Sequence, residues 1–301
     1  MLITVVGGGV AGLTTALALQ ERGHRVQVVA EHTGDGTTSA VAGAVWYPFR
    51  ADPPELVTGW AMRTKEWLTQ LAADAPAAGV DILTVREVTA TAEVPWWAPC
   101  TPDLQRVALP GGAGAWQFEA PRVEPAIHLE WLASQLAWPI ERRRVVSLDA
   151  EPGDMVVNCT GLGARNLTGD RELQALWGQT VLVAPGEGPL NAVAIDERDE
   201  ERMFYSIPRR GSVVLGGSAV AVEDDHSLAP VEALTEDILR RASERNQTHG
   251  PVLAVRCGLR PYRTTVRLER EGRIIHNYGH GGSGFTLARG CAEQVAEMAT
   301  A

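Results

Sequence analysis

Three glycines near the start of the chain have the spacing of a phosphate-binding turn. An apolar run, Ile3 to Val6, leads into Gly7-x-Gly9-x-x-Gly12, and a helix-forming stretch follows. Glycine at these positions permits a tight turn, a close backbone approach to a pyrophosphate and close packing of the helix on the strand. The start of the helix also offers free N–H groups to an anion. The pattern predicts a site for the phosphates of a dinucleotide.

An acidic residue follows where this interpretation requires one. A second apolar run, Val26 to Ala30, ends at Glu31, about 20 residues beyond Gly12, and a carboxylate at that distance can hold a ribose hydroxyl. The alternative is a glycine-rich turn in some other α/β protein. The glycine motif alone does not separate NAD from FAD.

Arg260 is the candidate for holding an anionic substrate. It stands between Leu259 and Pro261 at the end of a run of alternating residues. Its planar guanidinium can bind a carboxylate through two parallel hydrogen bonds, and the alternative is a structural ion pair.

Composition excludes several classes of function. The net charge of −10, with no basic patch, argues against nucleic acid or an anionic membrane as partner. No apolar run reaches the roughly 20 residues of a membrane span. The four cysteines form no CxxC pair, which argues against a zinc site and a disulfide framework. His276 and His280 lie on a strand and a glycine turn, so we expect no metal there. We expect free thiols and a cytoplasmic protein.

The elements that must position these residues are of two kinds. Segments typical of a parallel sheet occur at both ends of the chain and around residue 158, including a strand predicted over Arg144–Leu148. Alternating strands typical of an antiparallel sheet fill residues 179 to 221. Helices are predicted over 54–73, 231–242 and 286–298. We predict an α/β fold in which a Rossmann-type domain (1–49, 142–178, 259–301) is interleaved with a mainly antiparallel β substrate domain (50–141, 179–258).

Six segments, in order along nearly the whole chain, resemble those of the D-amino-acid oxidases, a family of flavin amine oxidoreductases. They are the Gly7 turn, residues 37–39 with 43–48, 157–161, 205–208, 258–261 with 266–269, and 276–284. The resemblance implies non-covalent FAD and oxygen as electron acceptor. It implies oxidative deamination of D-amino acids to 2-oxo acids, with ammonia and hydrogen peroxide, by hydride transfer from the α-carbon to flavin N5.

The resemblance also implies roles for particular residues. Arg260 and the Tyr205 hydroxyl would bind the substrate carboxylate, and the Gly282 carbonyl would accept a hydrogen bond from the amine. Tyr47 stands where some members have a glutamine near that amine. Contacts with FAD are expected from Gly7, Gly8, Gly9, Val10, Ala11, Gly12, Glu31, His32, Thr37, Thr38, Ser39, Gly43, Ala44, Val45, Val145, Thr160, Gly161, Arg267, Gly281, Gly282, Ser283, Gly284, Phe285 and Thr286.

Three alternatives stay open. A D-aspartate oxidase would need a second cation, with Arg202 as the candidate, and a glycine oxidase belongs to the same wider class. A non-catalytic flavin-binding protein is the third, and a carboxylate clamp argues against it. In the family, a tyrosine on a lid often precedes the Tyr205 position. Residues 199–204 contain no tyrosine, so the sequence does not decide whether a lid closes over the site. A homodimer is compatible with the sequence, which does not fix the oligomeric state.

Overall fold

The computed structural model describes residues 1–48, 51–109, 112–186, 192–199, 203–223 and 227–300. Within these ranges the strands are β1 Leu2–Val6, β2 Arg25–Ala30, β3 Val80–Thr89, β4 Gln105–Ala108, β5 Gly114–Val123, β6 Glu141–Arg142, β7 Met155–Asn158, β8 Gln174–Pro185, β9 Ala192–Asp196, β10 Phe204–Pro208, β11 Val213–Gly216, β12 Val220–Val222, β13 His249–Glu271 and β14 Ile274–His280. The α-helices are α1 Val10–Glu21, α2 Pro54–Asp74, α3 Pro125–Ser134, α4 Ala164–Thr168, α5 Glu232–Glu244 and α6 Gly284–Thr300.

One mixed sheet connects all of these strands in the order β4-β5-β3-β9-β10-β11-β8-β13-β14-β7-β1-β2-β6, with β12 pairing β8. The last five strands of this order are parallel to one another. They include β1 and β7, whose residues are almost entirely buried, as expected where helices cover both faces of a parallel sheet. Helices α1 and α6 pack on each other against this part, and the glycine turn follows the carboxyl end of β1.

The other part of the sheet is mainly antiparallel. Strands β8, β10, β11 and β13 pair antiparallel with their neighbours, and β3 pairs parallel with β9. The α/β fold predicted from the sequence is confirmed. The two-domain division stays a prediction, because the boundary placed between residues 258 and 259 lies inside β13, which pairs with strands of both parts.

The predicted helices agree with α2, α5 and α6 to within a few residues. The strand predicted over Arg144–Leu148 was wrong, since β6 covers only Glu141–Arg142. The physical reason is burial: a strand in this sheet must bury its apolar side chains, but Val146 is 82% exposed. Cys100, Cys159, Cys257 and Cys291 are free, as predicted. Of the helices in the described ranges, none has the length and apolar character needed to cross a membrane.

Candidate functional site

A cavity of about 600 Å³ runs along the boundary between the two parts of the sheet. The glycine turn after β1 forms one end, and residues of β8 and β13 form the other. This volume lies within the range of cavities that bind cofactors and other small molecules. We call these two ends the cradle end and the substrate end.

At the cradle end, close packing of backbone on backbone requires glycine. Gly7 has φ +135°, and a Cβ atom there would lie 2.3 Å from the carbonyl oxygen of Cys159. A Cβ atom on Gly12 would lie 2.1 Å from the carbonyl oxygen of Gly7. Neither neighbour is a flexible side chain that could move aside. Gly12 therefore acts by holding α1 against the turn, and it does not itself line the cavity.

The start of α1 presents amide groups to the cavity. The Val10 N–H donates to Ser39 Oγ at 3.0 Å, and the Leu13 N–H donates to the Gly9 carbonyl at 3.0 Å. The N–H of Ala11, which lines the cavity, has no hydrogen-bond acceptor among the described residues. These donors and the positive end of the helix dipole favour an anion such as a pyrophosphate.

Most of the predicted FAD contacts line this cavity. They are Gly7, Gly8, Gly9, Val10, Ala11, Glu31, His32, Thr37, Thr38, Ser39, Gly43, Ala44, Val45, Val145, Thr160, Gly161, Gly281, Gly282, Gly284 and Phe285. Several are fixed by hydrogen bonds to distant parts of the chain. Thr38 Oγ1 donates to the Leu259 carbonyl at 3.2 Å, and Thr160 Oγ1 donates to Asn158 Oδ1 at 2.7 Å.

A second helix start meets the cavity at α6. Gly281 has φ +55°, and its N–H donates to the Pro261 carbonyl at 2.8 Å, which joins this turn to β13. Thr286 lies behind the cavity wall, where its Oγ1 accepts from the Tyr47 N–H at 3.1 Å and donates to the Tyr47 carbonyl at 2.9 Å. Thr286 therefore positions the start of α6, as does the fully buried Ser283, and neither lines the cavity.

Arg267, another expected FAD contact, is not among the residues that line the cavity. Its guanidinium donates to the Tyr278 hydroxyl at 2.8 Å and pairs with Glu269 and Glu271, each at 2.6 Å. The guanidinium is therefore part of a polar network with two carboxylates and the hydroxyl of a cavity-lining tyrosine.

Arg260 lies at the substrate end, with its side chain partly buried. Its Nη1 donates to the Ser218 carbonyl at 2.8 Å, and the guanidinium lies directly over Gly178, where a Cβ atom would come within 2.1 Å of Nη1. No carboxylate of the described residues pairs with it. The structural ion pair considered from the sequence is therefore not what the described residues show, and the guanidinium is available to an external carboxylate.

Neither of the two tyrosines expected at the substrate is among the residues that line the cavity. The Tyr205 ring covers Gly216, where a Cβ atom would lie 2.3 Å from the hydroxyl oxygen. The Tyr47 hydroxyl donates to Glu87 Oε1 at 2.9 Å. Burial raises the pKa of both Tyr47 and Glu87. Tyr47 therefore directs its hydroxyl to Glu87 and not into the cavity.

Arg202 falls outside the described residues, as do Glu200 and Glu201 of the segment where a lid tyrosine is missing. His280 lines the cavity and is buried, which lowers its pKa to about 4, so it is neutral at pH 7. Its Nε2 lies 3.1 Å from Asn277 Oδ1. No group of three or more potential metal ligands occurs in the ranges that the structure covers.

Several residues of the cavity wall were missed from the sequence. Arg143 and Arg144 lie near Glu31 at the cradle end. From the sequence they were expected in or beside a strand, with no role at the cavity. Gly178, Thr180, Arg256 and Gly258 lie with Arg260 at the substrate end. The strand pattern could have identified part of this second set. Arg256, Gly258 and Arg260 are spaced two residues apart on one strand and so face the same side.

Comparison with known proteins gives a consistent result. Residues 3–298 match the family described as DAO, FAD dependent oxidoreductase. A D-amino-acid oxidase of Rubrobacter xylanophilus is 43% identical, with 99% of this chain and 95% of that protein covered. A D-amino-acid oxidase of Streptomyces coelicolor is 40% identical, covering 99% and 96%, and human D-aspartate oxidase is 30% identical, covering 98% and 94%.

Solved structures show the same fold at lower identity. The glycine oxidase of Bacillus cereus has a TM-score of 0.80 at 20% identity, covering 99% of this chain and 94% of that one. An L-α-glycerophosphate oxidase from Mycoplasma pneumoniae with FAD bound has a TM-score of 0.75 at 14% identity, covering 100% and 95%. The match over residues 3–298, together with a cavity whose walls suit a dinucleotide, shows that the chain belongs to the DAO family of FAD-dependent oxidoreductases and that its cofactor is FAD.

Proposed function

We propose that this protein is a D-amino-acid oxidase. The observation that carries the proposal is the 43% identity, over nearly the whole of both chains, with a protein of that name. The substrate end of the cavity supports it, since Arg260 offers a guanidinium to a carboxylate, the group that every amino acid carries. The reaction converts a D-amino acid and oxygen to an imino acid and hydrogen peroxide, and water then hydrolyses the imino acid to a 2-oxo acid and ammonia.

The residues present suit FAD. The amides at the start of α1 would hold the pyrophosphate, and Glu31 would hold a ribose hydroxyl of the adenosine. Residues 43–45 and the start of α6, which also line the cavity, would border the isoalloxazine. Bound FAD supplies the acceptor for the α-hydrogen and its two electrons, which then pass to oxygen.

The chain's own residues bind and orient the substrate. The substrate carboxylate would take the place of the Ser218 carbonyl on Arg260, and a charged pair of this kind is stronger than the neutral hydrogen bond it replaces. The carbonyl of Gly282, at the start of α6, would accept a hydrogen bond from the amine. With the carboxylate and the amine fixed and the side chain confined to the remaining space, the α-hydrogen faces the cofactor in only one of the two enantiomers. The reaction then needs no protein nucleophile.

A spectroscopic experiment tests the proposal. The holoenzyme is mixed anaerobically with D-valine, and the flavin absorbance near its visible maximum is followed. We expect bleaching with D-valine, no bleaching with L-valine, and one equivalent of hydrogen peroxide after oxygen is admitted. A holoenzyme that no D-amino acid bleaches would overturn the proposal. Faster reduction by D-aspartate than by D-valine would identify a D-aspartate oxidase, whose human representative is 30% identical to this chain.

We also propose a cytoplasmic location and a homodimer. The free cysteines support a reducing compartment, since three of the four are buried as thiols. Light scattering of the holoenzyme after size-exclusion chromatography measures its mass, and a value near 32.3 kDa would exclude the dimer.

A further inference from the structure

Two neighbouring strands form the floor of the substrate end. From β13, Arg256, Gly258 and Arg260 line the cavity, whereas Cys257 and Leu259 between them do not. The register of β13 with β8 is regular here, with Arg256 opposite Thr180 and Gly258 opposite Gly178. Gly178 and Thr180 also line the cavity. Alternate residues of a strand face the same side, so both arginines project from one surface.

The two glycines allow neighbouring side chains to lie directly on the strands. A Cβ atom on Gly178 would lie 2.1 Å from Arg260 Nη1, and one on Gly258 would lie 2.7 Å from Val41 Cγ2, so the Arg260 guanidinium and the Val41 side chain cover this part of the floor. Four residues of strand separate the Cα atoms of Arg256 and Arg260 by about 13 Å. Arg256 therefore borders the same cavity well away from the α-carboxylate site at Arg260.

Arg256 brings a positive charge that the described residues do not neutralise. Its guanidinium pairs with no described carboxylate, and Glu31, at the other end of the cavity, is the only acidic residue among the described wall residues. The nearby Arg209 is no substitute, because it is buried and donates to the carbonyls of Ala42, Gly43 and Val123. Burial, and then the charge of Arg256, lower the pKa of Arg209 to about 10.

We propose that Arg256 binds the side-chain carboxylate of an acidic D-amino acid whose α-carboxylate is bound by Arg260. The proposal rests on the proposed function and names Arg256 as a specificity-determining residue. D-glutamate carries its second carboxylate at the end of the side chain, which would extend along the cavity wall from Arg260 toward Arg256. Each guanidinium can bind a carboxylate through two hydrogen bonds, so a substrate with two carboxylates uses both.

The test compares D-glutamate with D-glutamine, which has nearly the same size and shape but no side-chain charge. In Arg256→Gln we expect kcat/KM for D-glutamate, relative to D-glutamine, to fall at least tenfold. The kcat/KM for D-valine stays within twofold of wild type, because D-valine does not reach Arg256. Arg256→Lys, which keeps the charge, restores part of the D-glutamate preference.

Arg86→Gln is the matched control. Like Arg256, Arg86 is an exposed arginine on a strand. Its Nε donates to Gln117 at 2.8 Å, and the variant removes one positive charge far from the cavity. We expect it to leave the ratio of the two substrates unchanged. A binding experiment without turnover is also available: glutarate and valerate are titrated into each holoenzyme while the flavin absorbance is recorded. Arg256→Gln weakens glutarate at least tenfold and leaves valerate unchanged.

The outcomes separate the two proposals. Absence of turnover with any D-amino acid in the wild type overturns the proposed function. Turnover of D-valine with an unchanged ratio of D-glutamate to D-glutamine in Arg256→Gln overturns the inference alone. The same follows if the wild type neither oxidises D-glutamate nor binds glutarate. A uniform loss of activity with lower flavin content in Arg256→Gln would show a cofactor contact instead, and also overturns it.

Discussion

The cradle end and the substrate end of the cavity differ in what they are made of. At the cradle end, backbone amides face the ligand and glycines pack against backbone carbonyls, as Gly7 and Gly12 do. At the substrate end, side chains of two paired strands face the ligand, and Gly178 lets the Arg260 guanidinium lie directly on the neighbouring strand. A change in backbone packing should therefore abolish binding altogether, whereas a change of one strand side chain should alter rate and specificity in an otherwise intact protein.

The largest effect is expected from Gly12→Ala at the cradle end. The new Cβ atom would lie 2.1 Å from the carbonyl oxygen of Gly7, so α1 must move away from the turn that holds the pyrophosphate. We expect at least a hundredfold weaker FAD binding, or about 3 kcal/mol, measured by titrating apoprotein with FAD. Flavin content of the purified protein should fall in parallel.

Gly59→Ala is the matched control for that variant. Gly59 is also a helical glycine, in α2, but nothing lies within 4 Å of a Cβ atom placed there. We expect normal FAD binding and a gain in stability of about 0.5–1 kcal/mol, because alanine has the higher helix propensity. Equal loss of FAD in both variants would show that the cradle does not depend on the close packing of Gly12.

The second largest effect is expected from Arg260→Ala at the substrate end. A substrate carboxylate would lose its cationic partner in the cavity, which costs about 3 kcal/mol, or a hundredfold in kcat/KM. The change is a side-chain truncation on a strand, so FAD content should match wild type, in contrast to Gly12→Ala. A loss below threefold at normal FAD content would show that the carboxylate binds elsewhere.

The same contrast explains what could be predicted from the sequence. The cradle is local: strand, turn and helix follow one another within residues 2–21, so the glycine spacing indicates both structure and role. The substrate floor depends on pairing between β8 and β13, which brings Thr180 opposite Arg256. No local pattern fixes that register, so Gly178 and Thr180 could not be found from the sequence. Arg256 was missed although its spacing from Arg260, which lies in a motif that resembles a known family, places both on one face of the strand.

Errors elsewhere have similar causes. Arg144 and Val146 lie in a run that alternates like a strand. The partner strand β2, however, pairs only with Glu141 and Arg142, which precede these two residues. Burial and pairing, which the sequence does not state, exclude the rest of the run from the sheet. The FAD contact expected of Arg267 stays a prediction, because its guanidinium pairs with Glu269 and Glu271 and the residue does not line the cavity.

Lowering the pH should reduce the stability of the protein through a histidine buried in the apolar surroundings of the cradle end. His128 is 1% exposed and packs between Trp67, Trp131 and Phe285. Burial lowers its pKa from 6.5 to about 4. Between these two values the unfolded chain binds a proton that the folded chain does not, so stability is lost as the pH falls below about 6.5.

His128→Phe should remove this contribution. From pH 7 to pH 5 the free energy of unfolding should fall by about 2 kcal/mol less in the variant than in wild type, measured by denaturant unfolding at both values. His249→Phe, at a partly exposed histidine, serves as control and should keep the wild-type dependence. Identical pH dependence of His128→Phe and wild type would show that His128 does not titrate on unfolding.

The smallest effects separate two tyrosines that both border the substrate end. Tyr47→Phe removes the donor to Glu87 and leaves a largely buried carboxyl group without this partner, so it should lower stability by about 1–2 kcal/mol. Tyr205→Phe should leave stability unchanged, because its ring still covers Gly216, but lower kcat/KM about fivefold if the hydroxyl binds the substrate carboxylate. Thermal unfolding and kinetics with D-valine on both variants measure the two effects. If Tyr205→Phe changes Tm while kcat/KM stays at the wild-type value, the hydroxyl belongs to the framework of the sheet, and Arg260 binds the carboxylate without it.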